Sequence, residues 1–375
     1  MKFQRCTRCV MDTTDPDIVF DSAGVCSHCL HYDAQSERFV ISGAEGERLL
    51  AAIVARVKND GKRNPYDCIM GVSGGVDSTY SVYLARQMGL RPLAVHLDNG
   101  WDSELAVKNI ERVLEKLNVD LRTVVLDWDE FRDLQVAFLK ASTPDSEIPT
   151  DHAIISVMFS HARMYGLRHV ITGFNVRTES HMPRAWSAGH SDWRYIRTVQ
   201  KRFGTRKLRT YPHTPFPTLL RLRWRQEWTH ILNYVNYNKQ SAKAILASDL
   251  GWVDYGGKHH ESIYTRFYQG YILLRKFGFD KRKAHFSSLI CSGQMTRDQA
   301  LAALENPPYP VELQEADRAY VLKKLQLTER EFQEIMEKPR LRYADYPSMD
   351  RFFKGRLYRG VRAIYRVTAK PLLSR

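Results

Sequence analysis

At 375 residues, 43% hydrophobic and 26% charged, the chain has the composition of a soluble globular protein of two domains, or of one large domain with additions. No stretch approaches the ~18 consecutive apolar residues of a membrane span, and the opening MKFQRCTRCV has no apolar signal core, so a cytoplasmic protein without a transmembrane segment is expected. The formal net charge of +14 suits nucleic acid, an anionic membrane surface or phosphorylated small substrates, and equally a solvated or docking face.

Four of the six cysteines fall at the front, as CTRC (Cys6, Cys9) and CSHC (Cys26, Cys29). This C-x2-C…C-x2-C spacing is that of a structural zinc ribbon: each pair bites one ion from a tight turn, and two pairs complete a tetrahedron. Disulfides are the alternative, and a cytoplasmic compartment disfavours them. Four thiolates leave no open position, so the metal is expected to be structural, with His28 and His31 as bystanders. The intervening DIVFDSAGVC reads as a short hairpin turning at Gly24.

ERLLAAIVARVKND then carries Leu49, Leu50, Ile53, Val54 and Val57 on one helical face. From Tyr66 strands and helices alternate. YDCIMGV is a buried strand and DSTYSVYLARQMG a helix; RPLAVHLDNG is a strand, and a helix follows with Ser103 as its N-cap. LRTVVLDW, DHAIISVMFSHARMYG and LRHVITGFN continue as strand, helix and strand. This alternation predicts an α/β fold with a parallel, doubly wound sheet, whose ligands sit at the strand carboxyl ends. Residues 180–217 are basic, aromatic and proline-rich with little periodicity, which suggests an insertion or lid. Beyond Trp224 the pattern is helical, with capping boxes at Thr296/Gln299 and Thr328/Glu331. The expected layout is a zinc ribbon at 1–33, a linker helix at 34–64, an α/β core at 65–180, a basic and aromatic insertion with helices at 181–250, a C-terminal helical region at 251–345 and a basic tail at 346–375.

MGVSGGVDST, from Met70 to Thr79, joins a strand to a helix N-terminus, where backbone N–H groups and the helix dipole make an anion site. Gly74 and Gly75 shape it, and Ser73 and Ser78 add hydroxyl donors. The lysine of the common phosphate loop is missing, and Asp77 stands where a cation is expected. An acid there is best read as a magnesium ligand. S-G-G-x-D-S is the signature of the ATP pyrophosphatase, or PP-loop, superfamily. That resemblance implies ATP binding, transfer of AMP to a substrate oxygen and release of pyrophosphate. Asp98 and Asn99 at the second strand's end, and Gly173, Asn175 and Glu179 across the cleft, match positions that contact nucleotide in the superfamily; Asp98 equally suits capping of the strand end.

Further segments (SEIPTDHAI, LNYVNYNKQSAKAIL, LGWVDYGGKHHESIYTRFYQGYILLRKFGFDKRKAHFSSLICSGQMTR and NPPYP), together with the ribbon, resemble the N-acetyl sugar amidotransferases over nearly the whole chain. These bacterial enzymes serve surface polysaccharide (lipopolysaccharide O-antigen) and nonulosonic acid pathways. The resemblance implies conversion of a nucleotide-linked sugar's acetamido group to an acetamidino group. In that reading Lys258, His259, His260 and Glu261 join Asp77 as catalytic candidates, orienting phosphates, amide or ammonia. An exposed polar helix start is the alternative for 258–261. Arg266, Lys281, Arg282 and Lys283 are candidates for substrate anions. Lys2 occupies the place an N-terminal cysteine nucleophile would need, and only Cys68 and Cys291 remain outside the ribbon, so no built-in glutaminase is expected. The resemblance implies partners instead: a glutaminase subunit similar to that of imidazole glycerol phosphate synthase and a cyclase-like companion, with no nucleic acid. The competing readings are a tRNA-modifying enzyme of the same superfamily and a non-catalytic zinc-ribbon scaffold.

Overall fold

The computed structural model describes residues 2–257 and 260–349. The four cysteine side chains gather at the front, followed by α1 (Ser27–Phe39) and α2 (Gly43–Gly61). The core then runs β1 (Cys68–Gly71), α3 (Val76–Gln87), β2 (Pro92–Asp98), α4 (Glu104–Leu117), β3 (Leu121–Val125), α5 (Trp128–Ala141), α6 (Ile148–Met164) and β4 (His169–Thr172). After it come the short α7 (Val176–Glu179), α8 (Trp193–Phe203), α9 (Phe216–Arg225) and β5 (Glu227–His230). The remainder is helical: α10 (Lys239–Leu250), α11 (Ile263–Phe267) running into a π-helical stretch Tyr268–Phe277, α12 (Lys281–Cys291), α13 (Arg297–Glu305), α14 (Val311–Leu325) and α15 (Glu329–Glu337).

The five strands form one parallel sheet in the order β3-β2-β1-β4-β5. Period-two alternation sorts its side chains to two faces. Ile69, Leu93, Val95 and Val170 pack with Phe131, Phe138, Val157 and Ile196 of α5, α6 and α8. Cys68, Met70, Ala94 and Ile171 pack against α2, α3, α4 and α10. Both faces are covered, which is why β1 and β2 read as continuous apolar runs, as parallel strands do. The Ser103 cap of α4 and both capping boxes form as the sequence predicts.

Three expectations are corrected. The segment after Trp224 is not helical throughout: Glu227–His230 is the edge strand β5, too short and too polar to show a strand pattern. The segment 180–217 is not simply a lid, because α8 sends Tyr195, Ile196 and Val199 into the main core, and Tyr211 joins them. The expected hairpin reduces to an isolated bridge, Phe20 to Cys26, around a turn with Gly24 at φ +77°. α5, which the sequence reading did not single out, supplies a large share of that same core. Among the described residues no helix is long and apolar enough to cross a membrane.

His152 of α6 is stacked near Trp193 and Tyr211, and both its ring nitrogens are engaged: Nδ1 donates to the His190 carbonyl (2.8 Å) and Nε2 accepts from Thr214 N–H (3.2 Å). Burial pushes its pKa down to about 4. An imidazole depressed on folding contributes stability above the unfolded value of ~6.5, and this is lost as pH falls toward the folded value, by roughly 3 kcal/mol in all. Urea unfolding should therefore show stability dropping from pH 7 to pH 5, and His152→Gln, which keeps a donor and an acceptor, should flatten that slope.

Candidate active site and metal centre

The glycine loop leaves β1 and enters α3 at the carboxyl edge of the sheet, as a parallel sheet with this strand order requires of a ligand site. His96 of β2 anchors the loop's start: Nδ1 donates to the Val72 carbonyl (2.9 Å) and Nε2 faces Asp102 (3.0 Å). Gly74 has φ +78°, a left-handed conformation that a side chain would strain, and its carbonyl accepts from Trp252 Nε1–H (2.8 Å). Ser73 and Ser78 hydroxyls lie 3.4 Å apart across the turn.

A cleft of about 230 Å³ opens on this loop, lined by Ser73, Gly75, Asp77, Ser78, Gly173, Phe174, Glu179, Lys239, Lys243, Trp252, Asp254, Tyr255, Gly257 and Glu261. The cation that the loop lacks is supplied by α10. Lys239 Nζ approaches Asp77 Oδ2 at 4.0 Å, and Lys243 is held by Asp254 at 2.5 Å. Asp77 also accepts from the Tyr237 hydroxyl, whose own pKa burial and the adjacent carboxylate push far up. Sequence reasoning missed Tyr237, Lys239, Lys243, Trp252, Asp254 and Tyr255. The signal was the lysine pair one helical turn apart in NYNKQSAKAIL, which carries no phosphate motif of its own.

The predicted contacts divide. Ser73, Gly75, Asp77, Ser78, Gly173, Glu179 and Glu261 come together around the cleft. Asp98 does not line it and instead accepts from Gly100 N–H (2.7 Å), the strand-end cap. Asn175 is fully buried, caps α7 by accepting from Thr178 N–H, and is likewise absent from the lining. Asn99 ties the end of β2 to the first turn of α6 through Thr150 (3.1 Å). His260 packs against Tyr309 (ring centroids 5.9 Å apart) and does not line the cleft. Lys258 and His259 lie outside the described residues, as does the tail from 350 onward. Arg266, Arg282 and Lys283 form internal pairs with Asp317, Asp280 and Asp12 at 2.8, 2.8 and 2.6 Å and line neither this cleft nor the larger cavity described below.

Lys281 takes part in a second constellation, which the sequence did not reveal. Asp145, Glu147 and Asp151 at the start of α6 meet Ser187, His190 and Lys281. His190 Nε2 lies 3.4 Å from both the Asp145 and Asp151 carboxylates and 2.9 Å from Ser187 Oγ, and Lys281 Nζ is 3.5 Å from Glu147. Burial would lower the His190 pKa, but the Asp145 and Asp151 carboxylates raise it to about 9. Burial alone would raise Asp145; Lys281, His190 and the Ser187 hydrogen bond hold it well below the usual carboxylate range. Asp151, its side chain 48% exposed, is raised by the desolvation of its surroundings and by the facing Asp145 and Glu147 carboxylates. The Ser187 hydroxyl donates to Asp145, which ties it into the same cluster of ionisable side chains. A cavity of about 840 Å³ opens on Asp145 and Ser187, walled by Trp186, Tyr195 and Phe279 and edged by Arg184, Arg340 and Arg342.

The four front cysteines are fully buried, with Sγ separations of 3.9 Å (Cys6–Cys29), 3.6 Å (Cys9–Cys26) and 3.7 Å (Cys26–Cys29). Four sulfurs at ~2.3 Å from one zinc ion stand ~3.8 Å apart, so the donors fit a tetrahedral ion. Backbone N–H groups of Arg8, Cys9 and Cys26 point at Cys6 Sγ and that of Met11 at Cys9 Sγ, which suits thiolates. Around them Met11, Ile18, Trp186 and Ala284 form a separate small core.

The glycine loop with its acid, set in a doubly wound parallel sheet, resembles the nucleotide site of PP-loop proteins. Residues 261–359 match the family described as LPS biosynthesis protein WbpG-like, C-terminal domain. The chain thus carries a C-terminal segment that resembles that family. It is 24% identical over 329 residues to an uncharacterized protein of Methanocaldococcus jannaschii, covering 85% of this chain and 99% of that one. It is 31% identical over 126 residues to the tRNA-specific 2-thiouridylase MnmA of Pseudoalteromonas translucida, a match to 30% of this chain that spans only 34% of the thiouridylase. Among solved structures, NMN synthetase from Francisella tularensis aligns with TM-score 0.28 and 18% identity over 36% of this chain and 57% of that one.

Two measurements test this geometry. A Cβ on Gly173 would lie 2.7 Å from the Asp77 carbonyl, backbone against backbone, so Gly173→Ala should separate the two loops and weaken pyrophosphate binding on the order of 10-fold or more in calorimetry, with the far-UV spectrum unchanged. Stripping metal with a chelator should loosen the ribbon and bring Trp186, now fully buried, into contact with water. The emission change should be absent in Trp186→Phe.

Proposed function

We propose that the chain is an ATP-dependent amidotransferase that converts the acetamido group of an N-acetylated, nucleotide-linked sugar to an acetamidino group, in lipopolysaccharide O-antigen or nonulosonic acid biosynthesis. The single observation that carries this reading is the joining of a PP-loop cleft to a WbpG-like LPS-biosynthesis C-terminal domain. ATP would lie with its β- and γ-phosphates on the Ser73–Ser78 turn, neutralised by Lys239 and Lys243. Asp77, with Glu179, Asp254 and Glu261 around the same cleft, offers the carboxylate oxygens that magnesium takes. A magnesium ion bound there would neutralise the departing pyrophosphate.

The amide oxygen attacks the α-phosphorus and pyrophosphate leaves, giving an O-adenylyl imidate. Ammonia then adds to the imidate carbon, AMP departs with the former acetyl oxygen, and one proton passes to a base. The cluster of Asp145, Asp151 and His190 supports that last role, since the Asp151 carboxyl, raised by burial and the neighbouring carboxylates, lies 3.4 Å from His190. The adjoining cavity, apolar with an arginine rim, has the size and chemistry for a nucleotide sugar. Ammonia would come from a partner glutaminase, with a cyclase-like companion.

The match to a tRNA thiouridylase favours a second reading, tRNA modification. Against it, the cleft lining contains no cysteine, and Cys68 is fully buried in β1 with its thiol pushed far up by burial.

With ATP, magnesium, ammonium and a nucleotide-linked acetamido sugar, the protein should release AMP and pyrophosphate and give a product about one mass unit lighter. Oxygen-18 in the acetyl group should appear in AMP. Asp77→Asn should lower turnover on the order of 100-fold or more. Absence of AMP with every such sugar, together with retention of tRNA at low salt, would replace the first reading by the second.

A further inference from the structure

The sequence places Cys291 far from the ribbon, but the fold does not. α12 ends on Cys291, and its Sγ lies 3.7 Å from Cys29 Sγ, a separation no different from those inside the four-cysteine centre. On the other side of Cys291 Sγ, 3.6 Å away, is His181 Nε2. The donor atoms of Cys29, His181 and Cys291 all lie within 4.8 Å of one another. For an ion at ~2.3 Å from sulfur and ~2.0–2.1 Å from nitrogen, tetrahedral edges are ~3.8 Å between sulfurs and ~3.6 Å between sulfur and nitrogen. The two edges that meet at Cys291 have these lengths.

His181 is also oriented as a ligand. It is 1% exposed, and its Nδ1 lies 3.0 Å from Ser288 Oγ. The Ser288 hydroxyl donates to the Ala284 carbonyl (3.3 Å) and the Ser180 hydroxyl lies 3.3 Å from the same ring nitrogen, so a proton on Nδ1 has acceptors on both sides. That leaves the Nε2 lone pair directed at Cys291, the arrangement by which a hydrogen-bonded outer partner fixes a metal-ligating imidazole.

We propose that Cys29, Cys291 and His181 form a second binding site for a soft divalent cation of the zinc class, with Cys29 bridging it to the ion held by Cys6, Cys9, Cys26 and Cys29. Cys29 and His181 are buried and Cys291 is partly exposed, so the fourth position faces outward past Cys291 and takes a water-derived ligand. Unlike the closed four-thiolate centre, the second site keeps an open coordination position.

The test is a metal count on the full-length protein, saturated with zinc and desalted. Two equivalents per chain are expected for wild type and one for Cys291→Ser and for His181→Ala. Cobalt titration of the apoprotein should show thiolate charge-transfer absorption growing through two equivalents in wild type and stopping at one in either variant. In competition with a chromophoric chelator, each variant should hold the second equivalent on the order of 100-fold more weakly, while the first is unchanged. One equivalent in saturated wild type overturns the proposal, since it requires no variant to fold. So do two equivalents that persist in both variants, which place the second ion elsewhere.

Discussion

An acid at the mouth of an anion-binding loop repels the ligand the loop is shaped to hold, and the rest of this molecule is arranged around that conflict. Asp77 sits where a phosphate loop ordinarily carries a cation, so positive charge must arrive from another part of the chain. α10 brings it, with Lys239 approaching Asp77 and Lys243 braced by Asp254. For α10 to reach the loop, the chain must first return through β5 at the sheet edge and turn at Tyr237, whose hydroxyl donates to Asp77. Gly173 completes the enclosure by letting the loop after β4 touch the Asp77 backbone directly. In the proposed function, a cation placed on a separate element, and not within the loop, would leave the carboxylate available for a hard metal ion while still neutralising the phosphates.

The second organising contact is the grip of the metal centre on the C-terminal helices. Arg297 of α13 donates to the Cys6 and Cys9 carbonyls, Lys283 of α12 pairs with Asp12, and Ser287 accepts from Val10 N–H. α12 also carries Lys281 into the carboxylate cluster at the start of α6 and ends on Cys291 beside Cys29. One helix of eleven residues, ~1.5 Å per residue, thus spans from that cluster to the ribbon. An ion held by the four cysteines would fix the ribbon, the ribbon packs on α12, and α12 brings a cation to a cluster where three carboxylates meet only two positive side chains. The ribbon therefore serves as a fixed wall of the second cavity as well as a cap on the chain's front.

Several of the basic side chains are spent inside the fold. Arg266, Arg282 and Lys283 close internal carboxylate pairs, and Arg297 holds backbone carbonyls. Such pairs, partly shielded from water, fix how helices approach one another more than they add net stability. The basic residues of α9 are different, since they flank Trp224, which is 77% exposed. An exposed aromatic among arginines is the composition of a contact surface, in keeping with a reading in which ammonia comes from another subunit.

The sequence by itself determined whatever depends on short-range periodicity or fixed spacing. Alternating strand and helix patterns defined a parallel sheet, because strands buried on both faces must be apolar throughout and crossovers must be long. Two C-x2-C pairs defined a four-sulfur centre, and strand, glycines and helix start defined the anion loop. Ser103, Thr296 and Thr328 marked their helices through local hydrogen bonds that need no tertiary context. What only the tertiary structure decided are encounters between side chains far apart in the chain: Lys239 with Asp77 across 162 positions, Lys281 with Glu147 across 134, and Cys291 with Cys29 across 262. It also decided that Asp98 and Asn175 spend their side chains on capping, and that α8 belongs to the core. A capping aspartate and a ligand-binding one are the same letter at the same strand end, and only the direction of the side chain, set by packing from the whole fold, separates them.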